Sequence, residues 1–147
     1  MDEKVTLKGH VIHKLYDANG NLKDVREDHN LVVTVGKNFL ASWLSAASQS
    51  EAFMKYVALG TGTNAPSAGD TGLQTELATR VTGTVSSSTN VLQNVASFGP
   101  GVDTGAITES VLFSASSGGT MFARQVFAVI NKAAGDTLQT TWQITFS

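Results

Sequence analysis

The clearest pattern of hydrophobic and polar positions lies at the end of the chain. Over residues 137–147 apolar and polar positions alternate, so one face of a strand would belong to the core and the other to solvent. The core face is Leu138, Thr140, Trp142, Ile144 and Phe146. Residues 120–130 differ, because they are apolar at both odd and even positions. We expect that strand in the middle of a sheet that is covered on both sides.

The spacing of apolar residues changes over residues 35–48. They recur there at offsets of four and one, which places them on one side of a helix. They are Val35, Phe39, Leu40, Trp43, Leu44 and Ala47. An isolated helix of this length is marginal in water, so we expect it to pack on a sheet.

Turn signals divide the rest of the chain into short strands. An Asn-Gly pair between Asp17 and Asn21 predicts a hairpin that joins residues 5–16 to residues 22–25. Residues 71–79 fit either a loop or one or two helical turns. Further strands are predicted over residues 53–59, 81–85, 91–98 and 106–114. Because the turns are short, the strands should be antiparallel. The predicted fold is mainly β: an antiparallel two-layer β-sandwich with one amphipathic helix, about 35–48, packed on it.

Charged residues are distributed unevenly. Residues 1–30 carry 11 of the 22 Lys, Arg, Asp and Glu side chains and all three histidines. This composition shift predicts a charged N-terminal hairpin or arm over residues 1–30 and a β-sandwich body over residues 31–147, in a single compact domain overall.

Composition excludes several classes of partner and chemistry. The 147-residue chain has a net charge of −2, so no basic excess draws it to nucleic acid. No apolar run is long enough for a membrane helix, and the first residues lack the apolar stretch of a signal peptide. With no cysteine there is no thiolate metal site and no cysteine nucleophile. We expect a soluble protein without a membrane partner.

Residues that could form a metal or phosphate site are scarce. His10 and His13 are three residues apart, so on a strand they point to opposite faces and do not share a metal. The Gly-Thr-Gly-Thr stretch at residues 60–63 is similar to a phosphate-binding turn, but Pro66 and Gly69 follow where that turn needs a helix. We expect a flexible or interface loop there.

Three charged residues interrupt otherwise apolar strands. Asp103, Glu109 and Arg124 fit either an ion pair within the sheet or a bridge to a neighbouring subunit. No Gly-x-Ser-x-Gly nucleophile motif is present. We therefore expect a protein that is not an enzyme and takes no cofactor, metal or small-molecule substrate.

The order of segments resembles a known family. The stretch "HNLVVTVGKNFLASWL" is followed by "YVALGTGTNAPSAGDTGLQTEL", by the lone Arg80 and by "GAITESVLFSASSGGTMFARQVFAVINKAAGDTLQTTWQITFS". These stretches, within residues 29–147, resemble small virion structural proteins of tailed bacteriophages, which are labelled as head decoration or fibre-associated proteins. The resemblance implies a non-enzymatic component of the phage particle.

The leading functional hypothesis is a capsid decoration or cement protein that binds the assembled head lattice and stabilises it. Its partners would be the major capsid protein and further copies of itself, with a homotrimer favoured. It would be made in the host cytoplasm and lie on the surface of the phage head. The alternatives are a tail or fibre-associated virion protein, acting as an adaptor or a receptor contact, and a carbohydrate-binding β-sandwich module.

Candidate interface residues come from the predicted helix, the glycine-rich loop and the charged positions of the strands. The charged hairpin is expected either to grip the major capsid protein or to face outward. Carbohydrate binding needs solvent-facing aromatic rings, whereas Trp43 and Trp142 are both predicted on core faces. The predicted contacts are Val35, Phe39, Trp43, Gly60, Thr61, Gly62, Thr63, Asn64, Arg80, Glu109 and Arg124.

Overall fold

The computed structural model describes residues 3–45 and 54–147. Within these ranges the chain forms nine strands and one helix. In chain order they are β1 (Leu7–Tyr16), β2 (Leu22–Val32), α1 (Thr34–Ser45), β3 (Tyr56–Gly60), β4 (Glu76–Thr82), β5 (Thr84–Ser88), β6 (Val91–Phe98), β7 (Gly105–Phe113), β8 (Met121–Lys132) and β9 (Thr137–Phe146).

All nine strands belong to one antiparallel sheet, in the order β4-β3-β7-β8-β2-β1-β9-β6-β5. The sheet passes from one layer of the sandwich to the other at two places. β2 pairs with β1 along residues 22–30 but with β8 only through Leu31 and Val32. Gly83 alone joins β4 to β5, which lie at opposite ends of the strand order. Corners made by strands that pass between layers are typical of sandwiches whose sheets cross. The predicted mainly β, two-layer fold with one helix is confirmed, as a single nearly closed sheet.

The core lies between the two layers. Trp142 on β9 is fully buried, and its Nε1 donates a hydrogen bond to Ser110 Oγ on β7, 3.3 Å away in the opposite layer. The predicted alternation of β9 is confirmed, because Leu138, Thr140 and Ile144 are also buried while the residues between them are half-exposed. Each large apolar side chain buried in this way contributes about 1.5–3 kcal/mol before the entropy cost.

The helix packs on the start of β8. A Cβ at Gly36 would lie 2.4 Å from the carbonyl oxygen of Phe122, so the missing side chain allows the helix to approach the strand backbone. Phe39 packs against the core, whereas Leu44, near the helix end, is 70% exposed. The predicted helix agrees with α1 up to its last residue, and its predicted continuation over residues 46–48 lies outside the described residues.

β8 is buried on both faces only at its beginning. Residues 121–124 are buried, whereas Val129 is 43% exposed. Between the pairs Ile107–Ile130 and Glu109–Val126, β7 has one residue and β8 has three, residues 127–129, so β8 is bulged there. A bulge bends its strand and shifts the alternation of side chains. The prediction of a strand covered on both sides therefore holds for the start of β8 and is wrong for its end.

The chain after the glycine-rich loop also differs from prediction. β4 begins at Glu76, so the helical alternative for residues 71–79 is wrong. The strand predicted over residues 81–85 is the end of β4 and the start of β5. The two strands separate at Gly83, whose backbone N–H donates to the carbonyl of Lys55 over 2.7 Å.

The predicted N-terminal hairpin is present. Asp17 Oδ1 accepts hydrogen bonds from the backbone N–H groups of Asn19 and Asn21, both over 2.9 Å, and Gly20 has a φ of 82°. β2 extends well beyond its predicted end and continues to Val32. β1 lies between β2 and β9 and pairs with β9 along its whole length, so the hairpin is part of the main sheet.

Candidate functional site

A buried ion pair between neighbouring strands lies at the centre of the candidate site. Glu109 on β7 and Arg124 on β8 are diagonal neighbours on one face of the sheet. Arg124 Nη2 and Nε donate to Glu109 Oε2 over 2.8 and 3.1 Å. The two side chains are 0% and 3% exposed. Of the two possibilities that the sequence leaves open, the structure has the ion pair within the sheet, and Asp103 is not part of it.

The glycine-rich loop folds around the Glu109 carboxylate. The backbone N–H groups of Gly62 and Thr75 donate to Oε1 over 2.9 and 2.8 Å, and that of Gln74 donates to Oε2 over 3.1 Å. A Cβ on either Gly60 or Gly62 would lie 2.5 Å from Oε1. Glycine at these two positions therefore leaves room for a carboxylate of the protein itself.

Asp70 extends the ion pair to the far end of the loop. Its Oδ2 accepts hydrogen bonds from Arg124 Nη1 over 2.8 Å and from the backbone N–H of Ser67 over 2.9 Å. Charge-assisted hydrogen bonds of this kind are about twice as strong as neutral ones. The Arg124 guanidinium thus links the strand carboxylate to a carboxylate in the loop.

Neutral side chains hold the middle of the loop. Gln74 Oε1 accepts hydrogen bonds from the backbone N–H groups of Thr63 and Asn64 over 2.8 and 3.0 Å. Thr108 Oγ1 donates to the carbonyl of Gly62 over 2.7 Å. The loop from residue 60 to residue 75 therefore has a fixed shape, set by side chains from the loop itself and from β7 and β8. We call this set of contacts the loop cluster.

Glu109 is ionised in the loop cluster. Burial raises the pKa of its carboxyl, but hydrogen bonds from the Thr75 amide, the Arg124 guanidinium and the Gln74 and Gly62 amides outweigh that effect and hold the pKa below its usual value. A carboxylate with all its donors supplied by the protein acts as a structural anchor. This arrangement offers no free oxygen for proton transfer.

The surface that the loop presents to solvent is small and uncharged. The charged side chains of Glu109 and Arg124 lie beneath it, and the carboxylate of Asp70, the charged residue of the loop itself, is paired with Arg124. The exposed residues of the loop are Thr63, Asn64, Ala65, Ser67, Ala68, Gly69, Thr71, Gln74 and Thr75. The predicted contacts Thr63 and Asn64 are therefore accessible, whereas Gly62 is buried and Thr61 is half-buried.

Arg80 lies apart from the loop cluster. Its guanidinium carbon is 3.6 Å from the centre of the Phe113 ring, and Nη1 donates to the carbonyls of Ala115 and Gly118 over 3.0 and 2.7 Å. Nη2 also donates to Glu76 Oε2 over 3.1 Å. The predicted contact Arg80 therefore holds the connection between β7 and β8 against β4.

The predicted contacts on the helix lie in a third place. Val35 packs against a small second core cluster. Phe39 and Trp43 line an apolar groove of about 460 Å³ between α1, β5 and β6. Trp43 is half-buried in this groove and not in the core, whereas Trp142 is fully buried as predicted.

Three members of the loop cluster are missed by sequence reasoning: Asp70, Gln74 and Thr108. Asp70 and Gln74 lie in a stretch without hydrophobic periodicity, and Asp70 is 54 residues from its partner Arg124. The one useful signal is a charged residue inside an apolar strand, which indicates a buried ion pair without identifying the groups that complete it.

His10 and His13 point to opposite faces of β1, as predicted. His13 is fully buried, its Nδ1 lies 3.0 Å from Thr140 Oγ1, and its ring centre is 4.2 Å from that of Phe127. Burial lowers the pKa of His13 to about 3, so its ring is neutral. Among residues 3–45 and 54–147 no three His, Cys, Asp or Glu side chains are grouped to hold a metal.

Comparison of the chain with protein-family models, with curated proteins and with solved structures finds no match. In the described part of the chain no helix is both long and apolar enough to cross a membrane. No family relationship therefore assigns a role to the loop cluster.

Proposed function

We propose that the chain is a bacteriophage virion structural protein, specifically a capsid decoration protein that binds the assembled head lattice and stabilises it. The observation that carries this proposal is the loop cluster, which holds a loop of small, neutral, exposed residues in one conformation. The resemblance of residues 29–147 to small virion proteins supports the same role.

Two costs of binding are low for such a loop. Because its backbone is already ordered by Glu109 and Gln74, binding costs little conformational entropy. Because its exposed residues are uncharged, few charges lose water on contact with a partner. Many copies bound to the lattice, and not to the free capsid subunit, would stabilise the assembled head by mass action.

Heads of the virus that encodes this chain test the proposal. Heads produced without the gene should lack one component and should disassemble at a lower temperature than complete heads. Adding the purified protein should restore both properties. Unchanged composition and unchanged heat resistance of the deletion heads would contradict a decoration role.

Two exposed positions test whether the loop makes the contact. Thr63→Lys places a charge on the loop and should weaken binding to heads at least tenfold, because the ammonium group loses its water at the interface. Ser88→Lys places the same charge at the exposed end of β5 and serves as the control. Equal binding of the two variants would remove the loop from the contact surface.

The position of the protein on the particle distinguishes the head from the tail. Labelled antibody should mark the head surface of intact particles. Labelling of the tail would instead support the tail or fibre-associated alternative.

A further inference from the structure

One long edge of the sheet has no partner strand. β2 pairs with β1 along residues 22–30, and on its other side it pairs with β8 only at Leu31 and Val32. β8 is bulged just beyond those pairs, at residues 127–129, and does not follow β2 further. Within residues 3–45 and 54–147 no other strand pairs with this side of β2. The outward N–H and C=O groups of this edge are a template for strand addition.

Side chains along this edge are arranged symmetrically around Val25. Lys23 and Glu27 lie two residues to either side of Val25, and Asp24 and Arg26 lie one residue to either side. Each of these two pairs has opposite charges. Val25 itself is 43% exposed, although it is apolar. Charges on an edge strand usually oppose pairing. Here, however, opposite charges lie at equal distances from Val25, so the strand is complementary to an antiparallel copy of itself.

A two-fold axis restricts how two copies of β2 can pair. Residues that face each other across an antiparallel pair point to the same face, and side chains alternate between faces along a strand. The axis must therefore pass through a residue that faces its own copy. The pairing of β2 with β1 shifts register at Lys23, between the pairs Leu15–Asp24 and Tyr16–Leu22, so regular alternation begins at Asp24. With Val25 on the axis, Asp24 faces Arg26 of the second copy, and this contact occurs twice.

Every neighbouring register is unfavourable. An axis at Lys23, Asp24, Arg26 or Glu27 places that charge directly opposite the same charge of the second copy. Like charges in facing positions destabilise a strand pair. Val25 is the only position between Lys23 and Asp28 that avoids such a contact.

The contacts that these side chains make within one chain are compatible with the pairing. Arg26 Nη1 contacts Asp24 Oδ1 on the same face of β2, and the two side chains are 36% and 29% exposed. Two such pairs meeting at the axis would form a ring of four alternating charges. Lys23 contacts Asp136 and Glu27 contacts His10, each over 2.8 Å, so these two side chains are already paired within their own chain and the axis depends on Asp24 and Arg26.

We propose that this edge joins two copies of the chain. β2 pairs antiparallel with β2 of a second copy across a two-fold axis at Val25, and the two sheets become continuous there. The inference rests on the sheet edge alone and goes beyond the proposed role in the virion. The contact is also separate from the homotrimer that the sequence analysis favours.

Disulfide formation tests the position of the axis. The chain has no cysteine, so Val25→Cys introduces a single thiol. Facing residues of antiparallel strands have Cα atoms about 4.5–5.5 Å apart, which a disulfide can span. Mild oxidation should convert this variant into a covalent dimer, visible on a non-reducing gel.

Val129→Cys is the matched control, because Val129 has the same exposed fraction of 43% on a different strand. Under the same oxidation it should stay mostly monomeric. Equal rates of dimer formation in the two variants would overturn the proposal.

Charge reversal tests the register. Asp24→Arg and Arg26→Asp each replace two attractive contacts at the axis by two repulsive ones, and each should raise the dimer dissociation constant about tenfold or more. The double variant Asp24→Arg/Arg26→Asp restores opposite charges at both facing pairs of residues 24 and 26. It should recover the wild-type constant to within about threefold, on the same facing-pair energies.

Sedimentation equilibrium measures these constants, and circular dichroism checks that each variant is folded. A wild-type protein that stays monomeric at about 100 times the concentration at which it is assayed on heads would overturn the proposal. So would a double variant as weak as the single variants. A trimer that none of the substitutions affects would overturn the β2 contact and leave the virion proposal standing.

Discussion

Glu109 and Asp103 are both buried carboxylates, but they differ in the number of hydrogen-bond donors around them and in the direction of their pKa shifts. Glu109 accepts hydrogen bonds from three backbone N–H groups and from two nitrogens of Arg124, and its pKa is lowered. Asp103 Oδ1 accepts one from the Thr79 N–H over 3.2 Å, whereas its Oδ2 has no hydrogen-bond partner among the described residues. Burial raises the pKa of Asp103, and the contacts with Thr79 and Lys132 offset this only in part.

The difference shows what makes a buried charge tolerable. Burial alone disfavours the charged form of both residues, so the donors that the fold brings to each carboxylate decide the outcome. Around Glu109 those donors come from a loop and a neighbouring strand, and they order the loop at the same time. Substitutions that change the number of donors should therefore have large effects at Glu109 and small ones at Asp103.

Removing the cation from the loop cluster should have the largest effect. Arg124→Met keeps much of the side-chain volume but leaves Glu109 and Asp70 without their guanidinium partner. Loss of one member of a buried ion pair costs about 3–5 kcal/mol, because the remaining charge is uncompensated. We expect a decrease of that size in the free energy of unfolding measured by urea denaturation at pH 7.

The double variant Glu109→Gln/Arg124→Met provides the control. It removes both charges and keeps an acceptor for the loop amides, so it should recover part of the loss. A double variant that is as unstable as Arg124→Met alone would show that packing around the guanidinium, and not the uncompensated carboxylate, causes the effect.

The contrast between these two residues could be predicted from the sequence only in part. Local patterns predict β9, the N-terminal hairpin and α1 because alternation, an Asn-Gly turn and helical spacing each lie within a few neighbouring residues. They also mark Glu109 and Arg124 as charges in apolar strands. The backbone donors around Glu109 come from residues 62, 74 and 75, which the fold brings to β7 from 34 to 47 residues away. No local pattern encodes that approach.

His13 is a buried base, in contrast to the two buried carboxylates. It should produce the second largest effect on the free energy of unfolding, and that effect should appear in acid. Burial lowers its pKa from 6.5 to about 3. Below pH 6.5 the unfolded chain binds a proton at this ring that the folded chain does not bind, so stability falls as the pH falls. The loss is about 1.4 kcal/mol per pH unit, or about 2–3 kcal/mol between pH 8 and pH 4.5.

Urea denaturation at pH 8, 6 and 4.5 measures this loss. His13→Gln removes the titrating ring, so its stability should depend less on pH by that amount, whatever the substitution costs at pH 8. A wild-type slope that His13→Gln does not reduce would contradict the assignment of a neutral, buried ring.

Gly62→Ala should reduce stability by about 1–3 kcal/mol, the usual cost of forcing extra volume into a packed site. The added Cβ would lie 2.5 Å from Glu109 Oε1 and 2.5 Å from Gln74 Cβ, so the loop must move away from the carboxylate. Gly69→Ala is the control in the same loop, because a Cβ there meets no atom within 4 Å. Thermal unfolding compares the two variants, and equal midpoints would mean that Glu109 does not require the close approach.

Asp103→Asn should have the smallest effect, a change of less than about 1 kcal/mol at pH 7, in the stabilising direction. The folded-state pKa of Asp103 is raised, so the folded chain binds a proton there more readily than the unfolded chain. Stability of the wild type should therefore gain from this group as the pH falls, and the advantage of the variant should disappear in acid.

The φ of 46° at this position favours an amide substitution, because Asn adopts left-handed backbone conformations more readily than most residues. Asp103→Ala tests that point, since it keeps neither the acceptor for the Thr79 N–H nor the backbone preference and should be less stable than Asp103→Asn. A loss at pH 7 from Asp103→Asn as large as that from Arg124→Met would mean that the two carboxylates are equally needed in their charged form, and the distinction drawn from their donors would be wrong.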